Sequence, residues 1–205
     1  MTDSPSLQRI QIRDLAQFTS EKTLPTSASA DFLLMFTGRD DVHEALKYVL
    51  SGVRQSLYIN QYGYDDDELN EIIWGKVMDP TILTMITLDK SQAGGRHEKR
   101  LLDADKARDL KAFNTHFAIG QSATRQISHT KGLCADGVIG AEGSTNWSIS
   151  GEGEFVVKGQ PGGTGYKAQN NTQSFFLCPF TVQRFQTELI SEHMIALKQM
   201  QDASR

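Results

Sequence analysis

Short apolar runs typical of β-strands alternate with amphipathic helical segments along most of this 205-residue sequence. The clearest helix spans about residues 41–55, and Asp40 or Asp41 can cap its first turn. Because helices and strands alternate, the sequence predicts an α/β fold in which a mixed β-sheet is sandwiched between helices. Further helices are expected at residues 69–77, 96–113 and 181–200, and strands at 32–36, 56–60, 82–88, 117–120, 126–129, 132–135, 138–141 and 173–177.

The first 31 residues are polar and precede the first apolar run. We interpret residues 1–31 as an arm or interface segment with a short strand at residues 9–13, and residues 32–205 as one catalytic domain. The start of the sequence carries charges and lacks a continuous apolar stretch, so no signal peptide is expected. No window approaches the roughly 18 apolar residues of a membrane span. The expectation is a cytoplasmic protein with no membrane contact.

Composition narrows the classes of function. The apolar share of 39% is sufficient for a core, and a net charge of −4 does not favour a passive binder of nucleic acid. Positive charge can still be confined to one cleft. Cys134 and Cys178 lie in apolar runs and are expected to be buried free thiols. Two cysteines and five scattered histidines form no spaced zinc set, so neither a metal nor a cofactor is expected.

Residues 129–146 follow the pattern H-x-K-x4-D-x6-G-S-x-N. On an extended strand, side chains two residues apart project from the same face, which pairs an imidazole with an ammonium group. Asp136 and Gly137 form a strong turn signal between two strands. The hairpin would return the Gly-Ser-x-Asn segment towards the histidine, so that several phosphate-binding groups converge without a metal. The side chains of the pattern are His129, Lys131, Asp136, Ser144 and Asn146.

This stretch resembles the HKD motif of the phospholipase D superfamily at every defining position. Residues 82–92, which read ILTMITLDKSQ, resemble a strand and its tail in the small bacterial endonucleases of that superfamily. The Trp-Ser pair after Asn146, the Asn-Asn-x-Gln segment at residues 170–173 and the closing helix follow in matching order. The resemblance covers about residues 32–200 and implies a phospholipase D-like fold.

In this family, two motifs form one site across a two-fold axis. This sequence contains one motif and no internal repeat, so the resemblance implies a homodimer or a higher even oligomer. One His129 would attack phosphorus, and the second copy's His129 would protonate the leaving oxygen and then activate water. Lys131, Ser144 and Asn146 would stabilise the phosphoryl oxygens. Asp136 belongs to the family signature and equally suits a turn residue.

Two features depart from the small nucleases of the family. These commonly carry a glutamate ahead of the last strand that orients the nucleophilic histidine, whereas this sequence has no carboxylate there. Thr172 or Gln173 can substitute as a hydrogen-bond acceptor, or Glu152 can reach in. The second departure is a Gly-rich insertion at residues 151–165, which can be a substrate-gating loop or an ordinary surface hairpin.

The resemblance favours a metal-independent nuclease that cleaves DNA or RNA, in the setting of restriction or phage defence and beside a motor ATPase. A phospholipase D-type lipid hydrolase or phosphatidyltransferase is the alternative, but it would need an apolar acyl channel. A scaffold subunit that keeps the motif without activity is a third possibility. His43, His116 and His193 show no partner pattern and are assigned structural roles.

Overall fold

Seven β-strands of the described chain form one mixed sheet, in the order β1-β7-β6-β5-β2-β3-β4. The structure, a computed structural model, describes residues 7–89, 99–100, 115–120, 129–160 and 167–203. Strands β2, β3 and β4 are parallel to one another, and the remaining neighbours pair antiparallel. The strands are β1 (Phe32–Phe36), β2 (Ser56–Gln61), β3 (Leu83–Asp89), β4 (Thr115–Gly120), β5 (Gly132–Ala135), β6 (Ile139–Gly143) and β7 (Thr172–Phe176).

Helices cover both faces of this sheet, which confirms the predicted α/β sandwich. Helices α1 (Val42–Gly52) and α2 (Asp67–Val77) pack on one face, and α5 (Pro179–Ala203) packs on the other. Two short helices, α3 (Ile149–Glu152) and α4 (Glu154–Val157), lie between β6 and β7. The caps follow local sequence: the carboxylate of Asp41 accepts from the Glu44 N–H at 3.2 Å, and that of Asp66 accepts from the Leu69 N–H at 2.6 Å.

Strand β5 is completely buried, because helices cover it from both sides. All four of its residues are buried. Leu133 and Ala135 face the main core with α1 and α2, whereas Cys134 packs beneath α5 with Tyr58 and Val182. Cys134 is therefore the buried free thiol that the sequence predicts. Cys178 is also a free thiol, but it is only half-buried because it lies in the link before α5.

A tight turn joins β5 to β6 at the Asp-Gly pair. Asp136 and Gly137 both have positive φ values, 54° and 67°, and the Val138 N–H donates to the Ala135 carbonyl at 3.0 Å, which closes the turn. The Asp136 carboxylate accepts the backbone N–H groups of Arg54, Gln55 and Ser56 at 2.8–3.2 Å. The aspartate of the motif thus fastens this turn to the start of β2.

The N-terminal segment is packed onto the domain rather than extended from it. Residues Leu7–Arg9 and Ile12–Phe18 form two 3-10 helices, so the strand predicted at residues 9–13 is wrong. Leu7, Ile12 and Leu15 are at most 1% exposed and belong to the main core. The polar composition of the segment gives no sign of this burial. An interface role for the exposed remainder stays a prediction.

The Gly-rich segment is also more regular than expected. Residues 151–157 lie in α3 and α4, so a loop or hairpin is wrong there; residues 161–166 lie outside the described chain. Most of the helix expected at residues 96–113 and of the strand at 126–129 also lies outside it. Among the described helices, none combines the length and the apolar character that a membrane crossing demands.

Candidate active site

The motif residues gather at one edge of the sheet because of its antiparallel pairings. Asn60 of β2 pairs with Gly132 of β5, Gly132 pairs with Glu142 of β6, and Gly143 of β6 pairs with Gln173 of β7. The ends of β2 and β6 therefore meet the beginnings of β5 and β7. This edge receives the following residues: Tyr62, His129, Lys131, Ser144, Asn146, Thr172 and Gln173.

His129 lies at the surface, and Lys131 lies beneath it. The His129 side chain is exposed, whereas Lys131 is 2% exposed. The Lys131 Nζ donates to the His129 carbonyl oxygen at 2.8 Å. Burial lowers the pKa of Lys131, partly opposed by the charge of Glu142. A buried ammonium group of this kind gains more from an approaching anion than a hydrated one would.

Tyr62 contacts both members of this pair and is a residue that sequence reasoning missed. Its ring lies 4.7 Å from the His129 ring, edge to face, and the Lys131 Nζ lies 5.0 Å from its centroid. Tyr62 directly follows β2, so its position depends on a pairing between strands that are distant in sequence. The only local signal is that it follows a predicted strand end.

Ser144 forms the turn that leaves β6. Its hydroxyl donates to Asn171 Oδ1 at 3.0 Å and accepts the Thr172 N–H at 3.1 Å. The Thr172 carbonyl in turn accepts the Ser144 N–H at 3.0 Å, so Thr172 acts here through its backbone. A Cβ at Gly143 would lie 2.0 Å from the Thr172 carbonyl oxygen, which explains the glycine before the serine.

Asn146 is held between two buried segments. Its Oδ1 is buried and has no hydrogen-bond partner among the described residues. Gly63 lies against it, since a Cβ there would be 3.1 Å from the Asn146 Cγ. Trp147 is fully buried, and its backbone N–H donates to the Gly63 carbonyl at 2.9 Å. The tryptophan thereby anchors the turn that presents Ser144 and Asn146.

Gln173 occupies the region where the family nucleases place a carboxylate. Lys131 and Gln173 precede Leu133 and Phe175 by two residues, and both of these belong to the main core, so Lys131 and Gln173 share that face. Only Gly143 lies between them in the pairing. Gln173 is 1% exposed, and its Oε1 has no partner among the described residues. A neutral amide acceptor therefore stands near Lys131.

A buried glutamine on β2 continues this row. Gln61 is fully buried, and neither its Oε1 nor its Nε2 has a partner among the described residues. It follows Asn60, which pairs with Gly132, and so it neighbours Lys131. Gln61 thus adds another buried amide beside Lys131. Sequence reasoning missed it because a lone glutamine in a strand carries no motif.

The opposite face of the same edge is fastened by α5. Glu192 accepts from the Thr130 hydroxyl at 3.2 Å and from the Asn60 side-chain amide. Burial raises the pKa of Glu192. Thr130 lies between His129 and Lys131, so Glu192 fixes the backbone from which both side chains project.

Two predicted site residues lie elsewhere. Asp136 follows the far end of β5, about 16 Å along the chain from Lys131 at 3.3 Å per residue, and accepts backbone N–H groups there. Glu152 is 1% exposed and pairs with His43 of α1, so it is not brought to His129. Burial raises the pKa of Glu152 to about 7 despite the His43 hydrogen bond; the same bond, with nearby carboxylates, raises the pKa of His43 to about 9 against burial.

Comparison with solved structures shows the same fold in phospholipase D proteins. NucT from Helicobacter pylori superposes with a TM-score of 0.57 at 17% identity, covering 79% of this chain and 96% of NucT. Nuc from Salmonella typhimurium, a phospholipase D family member, gives 0.52 at 13% identity, covering 79% and 94%. Phosphatidylserine synthase from Haemophilus influenzae gives 0.54 at 9% identity, covering 83% of this chain and 40% of the synthase.

These similarities confirm the phospholipase D-like fold that the sequence resemblance implies. No protein-family model matches the chain, and no curated protein matches it by sequence.

Proposed function

We propose that this protein is a phosphodiesterase that cleaves DNA or RNA through a covalent phosphohistidine at His129. The observation that carries the proposal is the sheet edge itself, with an exposed imidazole above a buried ammonium group. Ser144 and Asn146 lie at the same edge, and the fold is that of phospholipase D proteins. Fixed donors around a developing phosphoryl charge are the usual source of the largest catalytic effect.

The reaction proceeds in two displacements. A ring nitrogen of His129 attacks phosphorus, the bond to the leaving oxygen breaks, and the second copy's His129 gives that oxygen a proton. Water, deprotonated by the same second histidine, then attacks the phosphohistidine and releases the phosphate monoester and free His129. Lys131 stabilises the non-bridging oxygens in both steps. Each active site therefore needs two chains, related by a two-fold axis.

One observation favours nucleic acid over lipid. The chain covers more than nine tenths of NucT and Nuc but two fifths of the synthase, which supports the small, one-motif architecture. The groove of about 560 Å³ beside Thr130 combines Phe176 and Phe185 with Glu142, Glu188 and Glu192, so its lining favours neither substrate. Lipid hydrolysis or transfer remains the alternative, and an inactive scaffold is the third.

The cellular setting belongs to the same proposal. If the protein acts in restriction or phage defence beside a motor ATPase, residues 20–31 would contact that partner, because most of them are exposed. The buried part of the N-terminus would then act as the anchor of that segment.

One assay set tests the chemistry. The protein is incubated in EDTA with single- and double-stranded DNA and RNA, and separately with phosphatidylcholine vesicles. We expect nucleic acid cleavage in EDTA that falls by about 10⁴-fold in His129→Ala. Because His129 is exposed, this variant should keep the thermal unfolding curve of the wild type. Choline release without nucleic acid cleavage would favour the lipid alternative, and silence on every substrate would favour the scaffold.

A mixing experiment tests the shared site. Wild-type and His129→Ala chains are unfolded and refolded together at several ratios. Because each site needs two His129 residues, activity should fall as the square of the wild-type fraction. A linear fall would overturn the two-chain mechanism.

A further inference from the structure

A second polar cluster lies behind the motif turn, away from the sheet edge. His43 of α1 is 1% exposed, and its Nδ1 is in hydrogen-bond contact with the Glu152 carboxylate. The same Nδ1 lies 3.7 Å from the Asp66 Oδ2 at the start of α2. The Nε2 lies 3.5 Å from a Glu68 oxygen and 3.6 Å from a Glu154 oxygen. One buried imidazole thus has four carboxylates around it.

Buried polar atoms in this cluster have no hydrogen-bond partner among the described residues. They are the His43 Nε2 and the Glu152 Oε1. The Nε2 is aimed between the Glu68 and Glu154 carboxylates but is too far from either, or too poorly aligned, to bond. Glu152 is itself 1% exposed. Buried polar groups in native proteins are almost always satisfied, so the Glu152 Oε1, which belongs to the His43–Asp66–Glu152 group, has a place for one further partner, a water molecule or an ion.

The charges of the cluster are balanced only at its rim. Lys47 pairs with Glu68 at 2.6 Å and with Glu44 at 2.7 Å, and Lys158 pairs with Glu154. The two most buried carboxylates of the cluster, Asp66 and Glu152, pair with no lysine or arginine in the described chain, and Asp66 also accepts the Leu69 N–H. Because a metal ligand must be deprotonated, an ion at this site would displace the proton between His43 and Glu152.

The donor atoms are already close enough for a shared ion. One ligand atom each from His43, Asp66 and Glu152 all lie within 4.8 Å of one another. Ligands bound at about 2.0–2.2 Å from a metal are at most about 4.4 Å apart, so small side-chain movements suffice. A second set of His43, Glu44 and Glu68 meets the same distance and can supply an outer ligand.

We propose that His43, Asp66 and Glu152 form a structural binding site for a divalent transition-metal ion, with Zn²⁺ or Mn²⁺ as the fitting ions. One imidazole suits the first of these, and the carboxylates suit the second. All three ligands are buried, and a closed structural site would take its fourth ligand from the second set. The three ligands lie far apart in the sequence, which is why no spaced metal motif is visible.

The site would join the motif turn to α1 and α2. The Trp147 carbonyl accepts the Asp65 and Asp66 N–H groups at 2.8 and 3.1 Å, and Ser148 caps the helix that carries Glu152. A metal bound to Asp66 and Glu152 therefore closes a loop around the segment that follows Asn146. Its role is to hold Asn146 in place, remote from the phosphate.

Metal binding to the full-length chain tests this directly. Chelator-stripped protein is dialysed against Zn²⁺ or Mn²⁺, and bound metal is measured by mass spectrometry. We expect one ion per chain, and a rise in Tm of about 5–10 °C at 100 times the Kd. Glu152→Gln should weaken binding by at least about tenfold. Glu71→Gln, an exposed change on the same helix as the cluster's rim, should leave binding unchanged.

A spectroscopic measurement covers the case in which a buried variant fails to fold. Electron spin echo modulation of the Mn²⁺-loaded wild type should show one nitrogen-14 coupling from imidazole, and His129→Ala should retain it. A coupling that is lost in His129→Ala places the ion at the sheet edge and overturns the proposal. So does the absence of stoichiometric binding together with an unchanged Tm. Nucleic acid cleavage that persists in EDTA at 25 °C is expected, because the ion takes no part in the reaction.

Discussion

At the scale of single residues, His129 and Lys131 meet two different requirements, access to the substrate at the surface and weak hydration in the interior. The nucleophile has to reach a polymer, and its side chain is exposed. The cation has to be weakly hydrated to hold a phosphoryl group, and it is almost fully buried beside Tyr62. The same separation means that changes at the two positions should affect stability differently.

Replacing Lys131 by methionine should abolish phosphate stabilisation without loss of the fold. The methionine fills the apolar path of the stem and removes an ammonium group whose pKa burial already lowers. We expect kcat/KM for nucleic acid to fall by about 10²–10³-fold with a Tm at or above that of the wild type. Lys198→Met, at an exposed position of α5, is the matched control and should behave as wild type. A fully active Lys131→Met would exclude Lys131 from the reaction.

Gln173→Glu should extend activity towards higher pH. The new carboxylate would share a face with Lys131, separated from it only by Gly143. A carboxylate on the same face, one strand beyond β6, favours the charged form of the cation, so the pKa of Lys131 rises and Lys131 stays charged to higher pH than in the wild type. The measurement is kcat/KM against pH, with exposed Gln201→Glu as the control. An unchanged basic limb would show that Gln173 does not communicate with the cation.

At the scale of elements, the close approach of neighbouring backbone segments positions the active-site side chains as much as contacts between side chains do. Gly63, after β2, contacts Asn146, and Gly143, at the end of β6, contacts the start of β7. The turn that offers Ser144 and Asn146 is therefore held by neighbours that have no room for a side chain.

Gly63→Ala should displace Asn146 by a few tenths of an ångström. The added Cβ would lie 3.1–3.2 Å from Asn146 atoms, closer than ordinary contact. We expect a loss of about 1 kcal/mol in the free energy of unfolding and a tenfold or larger fall in activity, on the order of what small misplacements cost. Gly75→Ala in α2 meets nothing within 4 Å and should stabilise the helix by about 0.5–1 kcal/mol. Equal activity in both variants would contradict a tightly held Asn146.

Asp136→Ala should reduce stability but not the chemistry. Three backbone N–H groups at the start of β2 lose their acceptor, and alanine tolerates the positive φ of 54° poorly. We expect a loss of about 2 kcal/mol in the free energy of unfolding, since the bonds are charge-assisted but partly exposed. Asp136→Asn accepts the backbone conformation and should lose less. Activity per folded molecule should match the wild type in both; a selective loss would place Asp136 in the reaction.

Most of the elements could be predicted from local signals, and the contacts between distant elements could not. Asp41 and Asp66 cap their helices by bonding an N–H three residues later, and the Asp-Gly pair predicts the hairpin turn. The placement of Tyr62 beside His129 depends on which strand pairs with β5. The pairing of His43 with Glu152 spans 109 residues. Such neighbours have no periodic or motif signal, because only the completed sheet brings them together.

At the scale of the whole molecule, the two cysteines lie in different environments, one inside the sheet and one at its margin. Burial raises the pKa of Cys134 to about 12, in the strand that helices cover on both faces. A hydrogen bond with Thr181 lowers the pKa of Cys178 at the sheet margin. Since the thiolate is the reactive form, the two thiols should differ sharply in rate.

We expect one thiol per chain to react rapidly with a disulfide reagent near pH 8, and the second to react only when the chain unfolds. Peptide mapping should identify the fast thiol as Cys178. The rate at Cys134 should rise with denaturant in parallel with the loss of circular dichroism, which makes it a probe of global unfolding. Rapid labelling of Cys134 in the native state would show that the sheet opens locally at β5.

The four residues between the lysine and the aspartate of the motif are the whole of strand β5. They cross the sheet from the edge that holds His129 to the rim where Asp136 fastens the turn. One residue more or fewer would turn the side chains that face α1 towards α5, and those that face α5 towards α1. Neither face of the sheet could then pack against its helices. The spacing of the motif therefore matches the length of β5 and determines which face of the sheet each of its side chains occupies. A sequence that keeps this spacing keeps the strand in register and the groups at its two ends in place.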